Sequence, residues 1–293
     1  MLNKAPPIEP VSEVPTSTET QDDVGNEDSS PTMAEHADPH LLYQESVQSV
    51  EAEIDFIDDT FKRLRKRKAR TLREDFCGTA FTSCEWVRRR TSNIATGVDL
   101  DDEVLAWGEE HNVAPLGKSA SRISLIHGDV MKVQRDPTDV VLAMNFSYWL
   151  FKKRPHLRAY FSKVRDALVD DGIFFLDLYG GYESGKELKE KTKNDGFTYI
   201  WHQAKINPIN ADMLCHIHFK FPDGSKLRKA FTYHWRLWTL PEVSELLEEA
   251  GFRNVTVHWQ GWDDENDEAS GDFTPTTVGE ADPSWICYLT AEK

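Results

Sequence analysis

The sequence predicts an α/β fold built on a parallel sheet, on three observations. Strand-like and helix-like segments alternate between residues 71 and 178, an order that lays helices over strands running in one direction. Gly78 follows the first of these strands and Asp99 ends the second, the arrangement of a turn that lets a ligand approach the backbone beside an acid that can grip a ribose. After residue 196 three strand-like segments follow one another without helices between them, which adds a small antiparallel block.

Each element has a local reason. Residues 1–40 hold nine acids against the single base Lys4 and no aromatic residue. That is too little apolar surface to offset the entropy of ordering, so they are expected to form a disordered acidic tail. From there Val47, Val50, Ile54, Ile57, Phe61 and Leu64 recur at spacings of three and four, one stripe on one side of a helix. The run from Lys62 to Arg70 closes that helix with Lys or Arg at all but two positions. It reads either as a nucleic-acid or phosphate patch or as a solvated face with cations near a helix C-terminus, and the acidic remainder of the chain favours the second.

Strands are then expected near residues 71–76, 94–100, 123–127, 140–145 and 173–178, with helices near 79–90, 102–112 and 155–168. Residues 182–238 read as a β insertion with strands near 197–206, 213–221 and 226–238, and Pro222-Asp223-Gly224-Ser225 is a hairpin turn. Thr239-Leu240-Pro241-Glu242 opens a helix with a capping-box pattern and Gly251 closes it. Two last strands, near 254–260 and 285–290, are expected to be joined by an acidic loop.

The net charge of −16 resides in two segments, because residues 262–283 add eight acids and no base. The rest is near neutral, which argues against a protein held to nucleic acid by a general positive field and leaves a local patch open. No apolar run approaches the roughly 20 residues of a membrane span, and no secretory signal is evident, so a cytoplasmic location is expected. Cys77, Cys84, Cys215 and Cys287 make no CxxC pair and no metal spacing, so free thiols and no metal site are expected.

Five βα-type units, an antiparallel insertion, a helix ending Glu249-Ala250-Gly251-Phe252 and two last strands resemble class I S-adenosylmethionine-dependent methyltransferases over residues 41–293. Leu42-Tyr43-Gln44-Glu45-Ser46-Val47-Gln48, Arg73-Glu74-Asp75-Phe76-Cys77-Gly78-Thr79-Ala80 and Gly97-Val98-Asp99-Leu100-Asp101 resemble a bacterial subgroup of that superfamily. The resemblance implies a Rossmann-like, doubly wound, mostly parallel seven-stranded sheet with an antiparallel last strand. It also implies S-adenosylmethionine as cofactor and the insertion as a substrate cap.

The family's first strand usually ends acid-x-Gly-x-Gly-x-Gly. Here Glu74, Phe76, Gly78 and Ala80 hold those positions, so one glycine of three survives and Phe76 puts the loop geometry in question. By resemblance the loop Phe76, Cys77, Gly78, Thr79 and Ala80 meets the methionine portion, with Glu74 or Asp75 turned to its amino group or to adjoining backbone. Asp99 and Leu100 meet the ribose side, Asp129 accepts from the adenine amine, the amide of Val130 meets the ring, and Asn145 and Phe146 line the cofactor. Asp99 or Asp101 also suits a helix N-cap, and both roles can be filled at once.

Methyl transfer needs a base only if the acceptor must lose a proton. Tyr148, Asp177 and Tyr179 near the strand ends and His216 and His218 in the insertion are the catalytic candidates; for the two histidines, which have no evident third metal ligand, a solvated sheet face is the favoured reading. Trp201, Tyr233, Trp235 and Trp238 form either a substrate wall or core packing. The primary expectation is a methyltransferase acting on a small-molecule acceptor. The alternatives are an RNA or protein methyltransferase and a non-catalytic S-adenosylmethionine-binding protein. A nicotinamide-dependent oxidoreductase is disfavoured because Gly-x-Gly-x-x-Gly is absent.

Overall fold

The computed structural model describes residues 31–263 and 268–293. Most of the expected acidic tail, residues 1–30, lies outside them. Residues 31–40 do not belong to a tail: α1 (Met33–His36) and the start of α2 (Pro39–Val47) occupy them. The single helix expected from Val47 is two, because the chain breaks at Gln48 and Ser49 before α3 (Val50–Arg65). Val50, Ile54, Ile57 and Phe61 form the buried stripe of α3, whereas Val47 packs on the β insertion.

The main sheet has eight strands rather than seven. β1 (Thr71–Asp75), β2 (Ile94–Asp99), β3 (Ile123–His127), β4 (Thr138–Ala143) and β5 (Leu168–Gly180) are parallel, and β12 (Trp285–Glu292) runs antiparallel to β5. With β10 (Arg253–Asp263) and β11 (Glu268–Pro275) the order is β11-β10-β12-β5-β4-β1-β2-β3. The extra strand, β11, lies within the stretch read as an acidic loop. It carries no apolar alternation, and its pairing with β10 on the sheet edge makes it a strand.

Both faces of the sheet are covered, as its apolar strands require. Ile54, Ile57 and Phe61 of α3 pack on Leu72, Val140 and Phe175. On the other face α6 (Arg154–Asp166) and α7 (Leu240–Glu249) bring Tyr160, Phe161, Leu246 and Leu247 onto Phe174, Leu176 and Leu289. The expected capping box of α7 is present, and Gly251 takes the left-handed backbone (φ +95°) that ends that helix. Two cations of the basic run serve the fold: Arg65, the last residue of α3, pairs with Glu292 at 2.5 Å, and Arg67 with Asp171 at 2.6 Å and Asp139 at 2.8 Å.

The insertion is a second sheet of four strands, β6 (Leu188–Asn194), β7 (Phe197–Asn207), β8 (Asp212–Lys220) and β9 (Lys226–Arg236), in that order. The fourth, β6, was hidden by its sequence Leu-Lys-Glu-Lys-Thr-Lys-Asn, the charge-rich composition of a protected edge. The inner face, with Phe197, Ile217, Phe219 and Phe221, packs against Ala34, Ala37, Leu42, Tyr43 and Val47 of the first two helices. All four cysteines are free and buried. Among the described residues no helix is long and apolar enough to cross a membrane.

Candidate active site

The turn after β1 alternates left-handed residues. Phe76 (φ +58°), Gly78 (+51°) and Ala80 (+56°) all adopt positive φ. Two of the three, Phe76 and Ala80, carry a side chain. A side-chain-bearing residue held this way costs about 1–2 kcal/mol, and the surroundings supply it. Cys77 N donates to Val98 O at 3.0 Å, Ala80 N donates to Cys77 O at 2.8 Å, and the Phe76 ring lies 5.5 Å from that of Tyr160. A Cβ placed on Gly78 would meet nothing within 4 Å, so the outer side of the turn is open.

The two acids before the turn hold the protein itself. Glu74 Oε2 accepts from Ser83 N at 2.9 Å and Ser83 Oγ at 2.5 Å, which fixes the first turn of α4 (Phe81–Arg89) to β1. Burial pushes its carboxyl up to about 7, against the pull of those hydrogen bonds. Asp75 accepts from Arg73 Nε at 2.6 Å and Tyr160 O–H at 2.9 Å. Of the two roles expected for this pair, the one toward adjoining backbone is filled by Glu74.

Asp99, at the tip of β2, accepts from Gly78 N through Oδ2 at 2.8 Å and from Asp101 N through Oδ1 at 3.0 Å. Each oxygen keeps acceptor capacity. Asp101 caps α5 (Asp102–Gly108), accepting from Glu103 N and Val104 N at 3.1 Å. Asp101 thus takes the helix N-cap role that the sequence offered to either aspartate. Asp129 Oδ1 accepts from Met131 N at 2.9 Å and Oδ2 is 3.1 Å from Lys132 Nζ, while its neighbours Gly128 and Val130 line the cleft.

Asn145 and Phe146 end the β4 segment with two consecutive left-handed residues (φ +56° and +57°). Asp177 holds them, accepting from Asn145 N at 2.8 Å and Phe146 N at 2.9 Å. Burial pushes the Asp177 carboxyl up to about 7, opposed by those two amides. This catalytic candidate is a backbone clamp. Tyr148 is fully buried and donates to Asp177 O at 2.8 Å, which makes it a core residue. Tyr179 differs from both, since its ring lines a cavity while its hydroxyl donates to Gln203 Oε1 at 3.2 Å.

Two cavities meet at Asn145. The first, of about 580 Å³, lies over the carboxyl ends of β1, β2 and β4 and is lined by Glu74 to Thr79, Asp99, Leu100 and Val130. That is the place and size of a ligand site in an open α/β sheet. The second, of about 190 Å³, is walled by Phe146, Tyr179, Tyr199, Trp201, Tyr233 and Trp235. Tyr43, Asn145, Tyr233 and Trp235 border both. Trp201, Tyr233 and Trp235 are therefore a cavity wall, while Trp238 is core, 1% exposed.

The sequence reading missed the wall built by α2. Pro39, His40 and Tyr43 line the first cavity. Two contacts seat this helix: Gln44 Nε2 donates to Thr79 Oγ1 at 2.8 Å, and Trp107 Nε1 donates to Asp38 at 2.8 Å. Pro39 at the first helical position and Asp38 before it were the available signal; the acidic composition around them obscured it. His216 and His218 line neither cavity; with His202 they occupy the opposite face of the insertion sheet, His202 Nδ1 lying 3.2 Å from His218 Nε2. Among the described residues no cluster of His, Cys, Asp and Glu is arranged to hold a metal.

No family model matches the chain, and no curated protein does. Solved structures match in fold. The chain is similar to an S-adenosylmethionine-dependent methyltransferase from Clostridium acetobutylicum (15% identity, covering 86% of this chain and 96% of that one, TM-score 0.65). It is also similar to CalS10, an amino pentose methyltransferase from Micromonospora echinaspora solved with S-adenosylmethionine bound (14% identity, 86% and 95%, TM-score 0.61). A third match is KedS8, a sugar N-methyltransferase from a Streptoalloteichus species (15% identity, 96% and 98%, TM-score 0.59). At such identities the likeness is one of architecture: this chain has the Rossmann-like layered fold on which these three methyltransferases are built.

Proposed function

We propose that this chain is an S-adenosylmethionine-dependent methyltransferase acting on a small-molecule acceptor. The observation that carries the reading is the junction of two cavities at Asn145. One has the turn, carboxylate and position suited to a nucleoside; the other is an aromatic chamber sized for a small partner. The residues fit the proposed cofactor. Gly78 leaves open space above a left-handed turn, and the Asp99 oxygens keep lone pairs for two ribose hydroxyls after serving Gly78 and Asp101.

When bound, S-adenosylmethionine supplies an electrophilic methyl group on a sulfonium sulfur. The chain's part is alignment and exclusion of water. Asp99 and the turn hold the nucleoside end, Asn145, clamped by Asp177, stands between the two cavities with Phe146 on the acceptor side, and the aromatic walls keep the acceptor desolvated. Among the described residues the titratable side chains lining the aromatic cavity are Glu183, Glu190 and four tyrosines. Burial raises Tyr43, Tyr179, Tyr199 and Tyr233, so none is poised as a base. The amino pentose and sugar N-methyltransferases that the chain resembles in fold favour an amine as the acceptor, with Glu183 and Glu190 the carboxylates at hand on the wall.

Calorimetry with S-adenosylmethionine, S-adenosylhomocysteine and NAD tests the reading. Sub-millimolar binding of the first two and none of the third is expected. Failure of both methionine-derived ligands to bind overturns it.

A further inference from the structure

The outer face of the insertion sheet is basic on an otherwise acidic chain. Strand register puts Lys193, Thr198, Lys220 and Lys226 in one cross-strand row, and Lys189, His202, His216 and Thr232 in another. Lys191 and His218 flank Ile200 between them. Lys189, Lys229 and Arg228 lie close enough to hold the three histidines below their ordinary range, after burial, while Glu187 is the one acid that bears on His202. Lys220 directly opposes Lys226, a like-charge pair that costs stability where nothing compensates it. Among the described residues none of Lys189, Lys191, Lys193, Lys220, Lys226, Arg228 and Lys229 forms an ion pair. The opposite face of the same sheet is covered by the first two helices, so this one alone is open.

The described chain begins at the hairpin end of this sheet, where α1 enters the covered face. Met33 N donates to Asp223 Oδ2 at 2.8 Å and Ala34 N to Ser225 Oγ at 3.1 Å, at the hairpin between Lys220 and Lys226. Pro31 lies in a shallow groove with Asp195, Gly196 and Phe221, at the same end of the sheet. The thirty residues before it carry seven acids against Lys4, and five of those acids, Glu19, Asp22, Asp23, Glu27 and Asp28, fall within the last twelve positions. At about 3.3 Å per residue that stretch spans up to roughly 40 Å, enough to run along strands some seven residues long.

We propose that the acidic segment of residues 1–30 docks on this basic sheet face within the same molecule. Its acids neutralise the Lys193, Lys220 and Lys226 row and shield the face from other polyanions. The proposal stands apart from the reaction, since none of these residues lines the two cavities.

Carbodiimide cross-linking of the full chain at low salt, followed by peptide mapping, tests it. Links from Glu19, Asp22, Asp23, Glu27 or Asp28 to Lys193, Lys220 or Lys226 are expected in the monomer band, and are expected to vanish in about 0.5 M NaCl. A second measurement uses heparin as the polyanion. Full chain with the seven acids changed to Asn or Gln should elute from heparin at about 0.1 M higher NaCl than the native protein. Adding Lys193→Gln, Lys220→Gln and Lys226→Gln should cancel that shift. Absence of the links, or co-elution of the neutralised and native proteins, overturns the proposal. Links confined to a dimer band overturn it as well, and assign the face to a second copy.

Discussion

The amide of Gly78 donates to the carboxylate of Asp99 at 2.8 Å, so two residues 21 positions apart in sequence form one hydrogen bond at the tips of adjacent strands. The acid proposed to hold a ribose is thereby also a strut of the turn that would receive the methionine portion. Asp99→Ala should weaken S-adenosylmethionine binding by about 1–3 kcal/mol, or roughly 5- to 150-fold, the scale of a lost charged acceptor. Calorimetry on the folded variant checks this. Unchanged affinity would refute the ribose assignment.

Asp177 meets two amides whose residues are both left-handed. In Asp177→Asn one of those amides faces an NH2 group instead of an acceptor. The variant should lose about 1–3 kcal/mol in urea denaturation. A loss below about 0.3 kcal/mol would show that the Asn145–Phe146 turn holds without its clamp.

Positive φ need not have the same consequence at every residue. Lys66 caps α3 at φ +57° with its side chain in solvent, and Lys66→Gly should stabilise the protein by about 0.5–1 kcal/mol. Phe76→Gly should destabilise it by about 1–3 kcal/mol, because the ring packs on Tyr160 and Phe151. Denaturation midpoints of the two variants should move in opposite directions; movement in the same direction contradicts the account.

Glu53 of α3 is buried, and burial, with the nearby charges of Asp177 and Glu74, pushes its carboxyl up to about 8. A carboxyl raised on folding favours the native state fully below its ordinary value near 4.5, and that advantage is lost as pH rises through about 8. Glu74 and Asp177, each raised to about 7, act in the same sense. Melting temperature should therefore fall between pH 5 and 8.5, and Glu53→Gln should flatten the upper part of that fall. Parallel curves for the two proteins would rule Glu53 out as the cause.

The parts legible in the sequence were those with local causes. The buried cores of β4 and β5 read as apolar runs, α7 announced itself through Thr239 and Glu242, and the landmarks Gly78 and Asp99 lie together as their spacing implied. What escaped depended on partners distant in sequence. β6 is a strand because β7 pairs with it, and β11 because β10 does. The helix containing Pro39, His40 and Tyr43 is fixed by Thr79 and Trp107, residues whose proximity no local pattern encodes. The positive φ at Phe76 and Ala80 shows the limit of reading a turn by its glycines, since packing holds left-handed backbone at residues that carry side chains.

The seating of α2 sets where this domain can be cut. A boundary at residue 41, natural on composition, would pass through the helix and remove Asp38, whose carboxylate both caps it and receives the Trp107 indole. It would also remove Pro39 and His40 from the cleft wall. The smallest portable unit of this protein therefore begins no later than Asp38, and a graft or fusion that respects the sheet alone would carry a cleft with one side missing.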